Sequence, residues 1–404
     1  MVTNQVDEDK ATRCRHELAD WLRDQGYVTD PRIDEAFRTV PRHLFLPDTP
    51  LEQAYANTRV YTKHAGQTAI SAASQPNTIA MQLHQLAVQP GQRIREVGAA
   101  TGYNAALLAY LVGNTGQVVS LDVDADLVRS ARAHLDAAGI TNVEVRCQDG
   151  ALGDPDNTLY DRIVATVGIA NLPDAWRDQL APDGRLVAPL RIAGSAMRSV
   201  AFERAGDRWE SVDSEWCAFM PLRDSVCADR RRTVELAHES EVILHAYPEQ
   251  DVQAAAVCGV LAQPAYDVWT GIEFGDNEPL DPVWLWLACA LPNAVSRMEI
   301  QRNAQETGLV SPMLRWGSMA TVEGDSLAYL TMRRGKTGHE MGVIGHGPAR
   351  RELADRMAAQ VAAWAEHRDS PISIAVHPSG IDRPSRTAGV FTLERSNVTV
   401  TWRS

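Results

Sequence analysis

Cysteine is sparse and unpatterned in this chain. Six cysteines (Cys14, Cys147, Cys217, Cys227, Cys258 and Cys289) are scattered over 404 residues, with neither C-x-x-C pairs nor histidine spacing. That excludes a zinc ribbon and favours reduced thiols over a disulfide frame, so no metal is expected. No apolar run reaches the ~18 residues of a membrane span, and residues 1–10 lack the apolar stretch of a secretory leader. A cytoplasmic chain with no membrane partner is therefore expected. Positive charge is also in deficit: 39 Lys and Arg face 52 Asp and Glu, for a formal net charge of -13. Nucleic acid is disfavoured as a partner, because neutralising phosphates needs clustered cations. The short basic runs Arg230–Arg232 and Arg350–Arg351 are flanked by acids and read as solvated faces. What remains, 45% hydrophobic and 23% charged residues, is the composition of a globular protein long enough for two domains.

Glycine is scarce at one informative place. The stretch Arg95-Glu-Val-Gly-Ala-Ala-Thr-Gly-Tyr103 follows an apolar run and precedes a helical one, with an acid, Asp122, about 20 positions on. Such an arrangement is a nucleotide cradle opening an α/β sheet. A strict dinucleotide fingerprint wants glycine where Ala100 stands, which argues against a pyrophosphate held tightly on the backbone. NAD is accordingly the weaker candidate, and S-adenosylmethionine, which carries ribose and adenine but no phosphate, the stronger. Gly98 and Gly102 let the turn approach a ligand. Asp122 is placed to accept from both ribose hydroxyls, Asp149 (followed by Gly150) to meet the adenine amino group, and Asp124 to cap the next helix. Glu96 is expected to orient the loop or meet the amino-acid portion of the ligand.

Periodicity around the cradle predicts strand 93–97, helix 103–112, strand 117–121, helix 124–138, strands 142–147 and 161–166, helix 172–180 and strand 185–190. That alternation specifies βαβ units and a parallel sheet. Upstream, helices are expected over 9–26, around Asp34–Phe37 and over 77–86, with residues 48–76 irregular. Residues 198–219 read as a closing hairpin. Near 221–240 the composition turns charged, which marks a boundary. Beyond it, strands at 241–245, 326–332, 372–376 and 397–402 and helices at 252–261, 282–291 and 349–367 predict a second module of α+β type. Trp284 and Trp286 read as core beside Trp269. His339, Glu340 and His346 lack ligand spacing, so Gly338–Gly347 is expected to be a structural turn.

Val40-Pro-Arg-His-Leu-Phe-Leu-Pro47, Ala54-Tyr55, Gly66-Gln67-Thr68, Ser74-Gln75-Pro76, the E-V-G-A-A-T-G-Y cradle and Asp149-Gly150 occur in this order. Over residues 30–195 this series resembles the protein-L-isoaspartate O-methyltransferase family. The resemblance implies a Rossmann-like α/β methyltransferase that uses S-adenosylmethionine to esterify an aspartyl or isoaspartyl carboxylate. It further implies that a hydroxyl of the S-Q-P motif, Ser74, holds the acceptor. This chain inserts Ala69–Ala73 between its G-Q-T and S-Q-P, so Ser71 competes with Ser74 for that part. The alternative for Ser74 is a helix N-cap. Asn57 replaces an acid usual in the related segment, His64 is a weak candidate for substrate contact, and Thr166-Val-Gly168 is expected to pack beside the methyl donor.

On this resemblance, residues 1–75 form an N-terminal helical and substrate-loop segment, 76–222 the Rossmann-like domain, and 241–404 a C-terminal α+β domain for peptide recognition. Repair enzymes of the family are about the size of the first half alone. The extended form resembles the aspartyl O-methyltransferases of ribosomal-peptide biosynthesis (lanthipeptide, lasso-peptide and graspetide types), whose esters lead to aspartimide. The implied partner is a macrocyclised ribosomal peptide. The alternatives are an isoaspartyl protein, as for a repair enzyme, and a non-catalytic peptide-binding protein with a degenerate cradle.

Overall fold

The computed structural model describes residues 2–66, 68–153, 155–156, 158–223, 231–237, 241–377, 389–393 and 397–403, with side chains from residue 8 onward. Gln67, Cys227 and Arg230 lie outside the described residues. Two compact units divide the chain: Met1–Leu190 with Arg198–Asp229, and Arg191–Met197 with Arg230–Ser404.

The first unit begins with α1 (Val2–Asp24) and α2 (Pro31–Thr39). Their apolar stripes bury Leu18, Leu22, Ile33, Ala36 and Phe37. Pro31 suits the first turn of α2, where its missing N–H costs nothing, and Asp30 caps that turn by accepting from Arg32 N–H. A short helix, α3 (Leu51–Ala54), leads to an antiparallel hairpin of β1 (Val60–Ala65) and β2 (Thr68–Ala73). Residues 48–76 are thus far more regular than expected. The hairpin is illegible in sequence because its two strands pair only with each other and are too rich in small residues to alternate. Helix α4 (Pro76–Leu86) follows.

The doubly wound part comprises β3 (Arg93–Val97), α5 (Tyr103–Val112), β4 (Gln117–Asp122), α6 (Ala125–Ala137), β5 (Val143–Cys147), β6 (Tyr160–Ala165), α7 (Asp174–Asp178) and β7 (Leu180–Ala193). The hairpin of β8 (Ala196–Ala205) and β9 (Arg208–Trp216) follows. Strand order is β5-β4-β3-β6-β7-β8-β9. Strands β3 to β7 run parallel. Four of the five residues of β3 are buried, as a parallel strand covered on both faces requires. The chain starts this sheet at β3, winds outward to β5, then returns to β6 on the other side of β3. The reversal opens a crevice at the carboxyl ends of β3, β4 and β6. This is the α/β Rossmann-like architecture.

The second unit contains β10 (Arg232–Glu235), β11 (Val242–Ala246), α8 (Ala254–Val257), β12 (Tyr266–Phe274), α9 (Asp281–Ala290), β13 (Ser296–Ile300) and α10 (Arg302–Glu306). It continues with β14 (Gly317–Glu323), β15 (Ser326–Arg334), β16 (His339–His346), α11 (Arg350–Ala365), β17 (Ile372–Val376), β18 (Val390–Leu393) and β19 (Val398–Trp402). Seven strands form an antiparallel sheet in the order β10-β11-β13-β14-β15-β16-β12. Helix 252–261 is cut short: Cys258 leaves α8 in extended backbone, and Gly259 at φ 75° starts a separate turn over Val260–Ala262. The glycine-rich stretch expected as a turn is strand β16. Its glycines serve packing: a Cβ on Gly342 would stand 2.6 Å from the Trp269 ring, and one on Gly345 2.2 Å from the Arg350 carbonyl. Trp284 and Trp286 are buried in α9.

Candidate active site

Strand β3 ends at Val97, and the turn that follows depends on left-handed backbone. Gly98 has φ +103° and Gly102 φ +87°. A Cβ on Gly98 would lie 2.5 Å from Thr166 Oγ1, the hydroxyl that donates to the Gly98 carbonyl at 2.7 Å. Glycine therefore lets the end of β6 close on the cradle, and Thr166 ties the two together. Ala100 adopts φ +46°, a conformation that costs a side-chain-bearing residue roughly 1 kcal/mol. Its N–H donates to Asp122 Oδ2 at 3.1 Å, while Asp122 Oδ1 accepts from Asp124 N–H at 3.1 Å. Asp122 is thus fixed at the end of β4 by two backbone donors, and each oxygen keeps a lone pair for a ligand hydroxyl.

The neighbouring wall is set from inside the sheet. Gly150 presses on Val97, where a Cβ would come within 2.4 Å of Val97 Cγ1. Its carbonyl accepts from Arg95 Nη2 at 2.6 Å and Trp176 Nε1 at 2.7 Å, both fully buried side chains. Asp149 accepts from Ala151 N–H at 2.9 Å and so caps the short turn Gly150–Leu152. Glu96 is wholly buried and accepts from Asn104 Nδ2 at 2.8 Å and Ser120 Oγ at 2.5 Å, tying β3 to α5 and β4. Desolvation pushes its pKa up to about 7. Glu96 is therefore a brace beneath the turn rather than a wall of the crevice.

One cleft, with about 1200 Å³ of open space counted out to solvent, gathers Ser71, Ser74, Gly98, Ala100, Asp122, Gly150 and Thr166. Glu96, Gly102 and Asp149 stand behind its lining. Asp124 caps α6 as expected, accepting from Asp126 and Leu127 N–H. It also receives Lys63 Nζ at 2.7 Å, and Lys63 reaches Asp126 at 3.0 Å, so the β1–β2 hairpin is pinned beside Asp122. His64 is exposed, its ring 6.0 Å from that of Tyr61.

Ser74 lies between β2 and α4, and among the described residues its hydroxyl has no hydrogen-bond partner. It does not cap α4. The cap position is Gln75, and the N–H of Asn77 is satisfied instead by Asn57 Oδ1 at 3.0 Å. Ser71 is buried and accepts from Thr62 Oγ1 at 2.9 Å across the hairpin. Arg42, of the V-P-R-H motif, is fully buried beneath this wall. It donates from Nε to the Ala54 carbonyl at 2.8 Å and from Nη2 to the Ser74 carbonyl at 2.9 Å, with its guanidinium 4.7 Å from the Tyr103 ring centroid. Sequence reading quoted Arg42 and Arg95 within motifs without foreseeing that each is a buried strut.

Sequence reading also missed the wall at 218–223. There Gly168 N–H donates to the Met220 carbonyl at 2.7 Å and Leu222 N–H to the Gly168 carbonyl at 2.8 Å. His339, Glu340 and His346 do not converge. Glu340 pairs with Arg333, His346 Nδ1 lies 3.1 Å from the Gln263 carbonyl, and His339 faces Asp276. Among the described residues no group of three or more metal-ligating side chains could hold an ion, and no helix is long and apolar enough to cross a membrane.

The fold and this cleft define a Rossmann-like protein whose cradle presents a backbone-fixed carboxylate, Asp122, at the carboxyl end of β4. The sequence profile of protein-L-isoaspartate(D-aspartate) O-methyltransferase matches residues 13–227, and the chain belongs to that family of carboxyl O-methyltransferases. It is 36% identical over 213 residues to protein-L-isoaspartate O-methyltransferase 2 of Archaeoglobus fulgidus, covering 52% of this chain and 92% of that protein. It is 38% identical over 212 residues to the Halorhodospira halophila enzyme of the same name, covering 52% and 91%. A Plasmodium falciparum structure of this name, in complex with S-adenosyl-L-homocysteine, superposes with TM-score 0.46 at 20% identity, covering 52% of this chain and 99% of that one. A further solved protein-L-isoaspartate O-methyltransferase covers 91% and 98% at TM-score 0.49 and 19% identity.

Proposed function

We propose that this enzyme methylates an aspartyl side-chain carboxylate in a modified, macrocyclised ribosomal peptide, with S-adenosylmethionine as donor. The observation that carries the reading is the presence, in one cleft, of an unpartnered acceptor-side hydroxyl, Ser74, and a backbone-fixed ribose-type carboxylate, Asp122. The donor's chemistry fits the residues: bound S-adenosylmethionine supplies a methyl on a sulfonium, and its transfer needs no phosphate grip and no metal. Asp122 would accept from the ribose hydroxyls, and the Gly150 wall would flank the adenine with Asp149 behind it. Gly98, Ala100 and Gly102 shape the turn, Thr166 locks it, and Glu96 braces it from below.

The acceptor carboxylate, of ordinary pKa ~4, is already ionised at neutral pH, so no general base is required. Ser74 donates to one of its oxygens and leaves the other aimed at the methyl group. Ser71, whose oxygen accepts from Thr62, keeps its own proton available as a second donor. Rate enhancement then comes from orientation and from partial desolvation of a weak nucleophile. The backbone nitrogen of the following residue attacks the ester carbonyl to form a C–N bond. Methoxide leaves, takes up the amide proton and departs as methanol, giving an aspartimide.

One observation favours the macrocyclic peptide over damaged proteins at large: the β1–β2 hairpin builds the acceptor wall between G-Q-T and S-Q-P. We assign residues 241–404 to peptide recognition. Methyl transfer measured with a macrocyclic aspartyl peptide and a linear isoaspartyl hexapeptide tests this. Turnover confined to the macrocycle is expected, whereas robust turnover of unrelated linear isoaspartyl peptides makes the protein a repair enzyme.

A further inference from the structure

The acceptor wall carries a cation that pairs with no carboxylate. The last rung of the β1–β2 hairpin joins Val60 to Ala73. One residue beyond it, before β1 and after β2, stand Arg59 and Ser74, and both line the cleft. Residues directly opposite on antiparallel strands have Cβ atoms about 5 Å apart, well within the reach of an arginine. Arg59 is exposed, its guanidinium 5.8 Å from the Tyr61 ring centroid and its Nη1 3.4 Å from Tyr61 Oη. Among the described residues no Asp or Glu pairs with it. The other cations at this cleft are engaged: Lys63 meets Asp124 and Asp126, Arg223 lies 3.6 Å from Asp124 and 3.9 Å from Asp122, and the buried Arg42 donates to the Ala54 and Ser74 carbonyls. In a chain where acids outnumber bases 52 to 39, an arginine without an acidic partner beside the unpartnered serine suits an anionic ligand.

We propose that Arg59 grips the acceptor carboxylate itself, sharing the non-attacking oxygen with Ser74, and so makes the site select a carboxylate over the isosteric carboxamide. This assignment rests on the methyl-transfer reading above. A guanidinium fork on both oxygens would block attack, whereas one N–H on the oxygen that Ser74 also holds leaves the second oxygen free. The Tyr61 hydroxyl, 3.4 Å from Arg59 Nη1, occupies one arm of the fork. A charge-assisted hydrogen bond of this kind is worth about 10- to 100-fold in affinity.

The test is steady-state kinetics of wild type, R59Q and R59K on an aspartyl peptide, with the asparaginyl peptide as competitive inhibitor and S-adenosylhomocysteine titrated separately. R59Q should raise KM for the carboxylate about 10- to 100-fold while leaving inhibition by the carboxamide and cofactor-product affinity within about twofold, and R59K should recover part of the loss. An unchanged KM in R59Q, or equal weakening of carboxylate and carboxamide, overturns the Arg59 assignment alone. Wild-type protein that methylates no aspartyl or isoaspartyl peptide overturns the reaction, and the assignment with it.

Discussion

Replacing Arg42 with methionine removes a buried strut and keeps most of its volume. The side chain is fully buried, and its guanidinium holds the Ala54 carbonyl at 2.8 Å and the Ser74 carbonyl at 2.9 Å. Each such bond from a charged donor is worth about 1.5–3 kcal/mol, and the stacking on Tyr103 adds about 1 kcal/mol. Against this, burial itself disfavours the charge and pushes the Arg42 pKa down, so losing the charge returns part of the cost. The balance is a net loss of about 2–4 kcal/mol, or roughly 5–15 °C in the Tm of the unit that contains it. Because one of the two carbonyls belongs to Ser74, kcat/KM for the peptide should fall about tenfold or more, with S-adenosylhomocysteine affinity changed about threefold at most. Differential scanning calorimetry and methyl-transfer kinetics on R42M measure both. A variant with wild-type Tm and wild-type kcat/KM would refute the strut.

Glu96 gives a pH signature. Its pKa is raised to about 7 in the fold, so from its unfolded value of 4.5 upward the folded state holds the proton longer, and raising pH favours unfolding until about 7. Denaturation of wild type and E96Q across pH 4–8 should show wild type losing stability over that window relative to the variant; parallel curves contradict the burial argument. Ala100→Gly relieves left-handed strain of about 1 kcal/mol but loosens the unfolded chain by a similar amount, so its Tm should stay within about 3 °C of wild type. A larger drop would show that the Ala100 methyl packs in the cleft. Asn57→Ala strips the cap from α4 and should cost about 1 kcal/mol, read as a lower Tm, and raise the peptide KM through displacement of Ser74 and Gln75.

The parallel half of the fold was legible because each strand is a short apolar run closed by a small or acidic turn, and each helix follows at once. Strand 93–97 and helix 103–112 coincide with β3 and α5 to the residue. Asp122, Gly98 and the serines were legible as neighbours in one cleft, since their placement depends on position relative to strand ends. Glu96 shows the limit: it is two residues from Gly98, yet it still lies within β3, a strand covered on both faces, where it meets Asn104 and Ser120. The hairpin and its Lys63 pin to Asp124 escaped because nothing local records a contact between residues 61 positions apart. Strand β16 escaped because its glycines mimic a turn, although they are there to admit the Trp269 ring and the start of α11.

The most direct measurement incubates the full-length protein with methyl-labelled S-adenosylmethionine and the aspartyl macrocycle, then treats the product with mild base. Carboxyl methylation predicts label on the peptide that base releases as volatile methanol, and its loss in the S74A variant. Label that survives base, or label incorporated equally by S74A, would contradict the account.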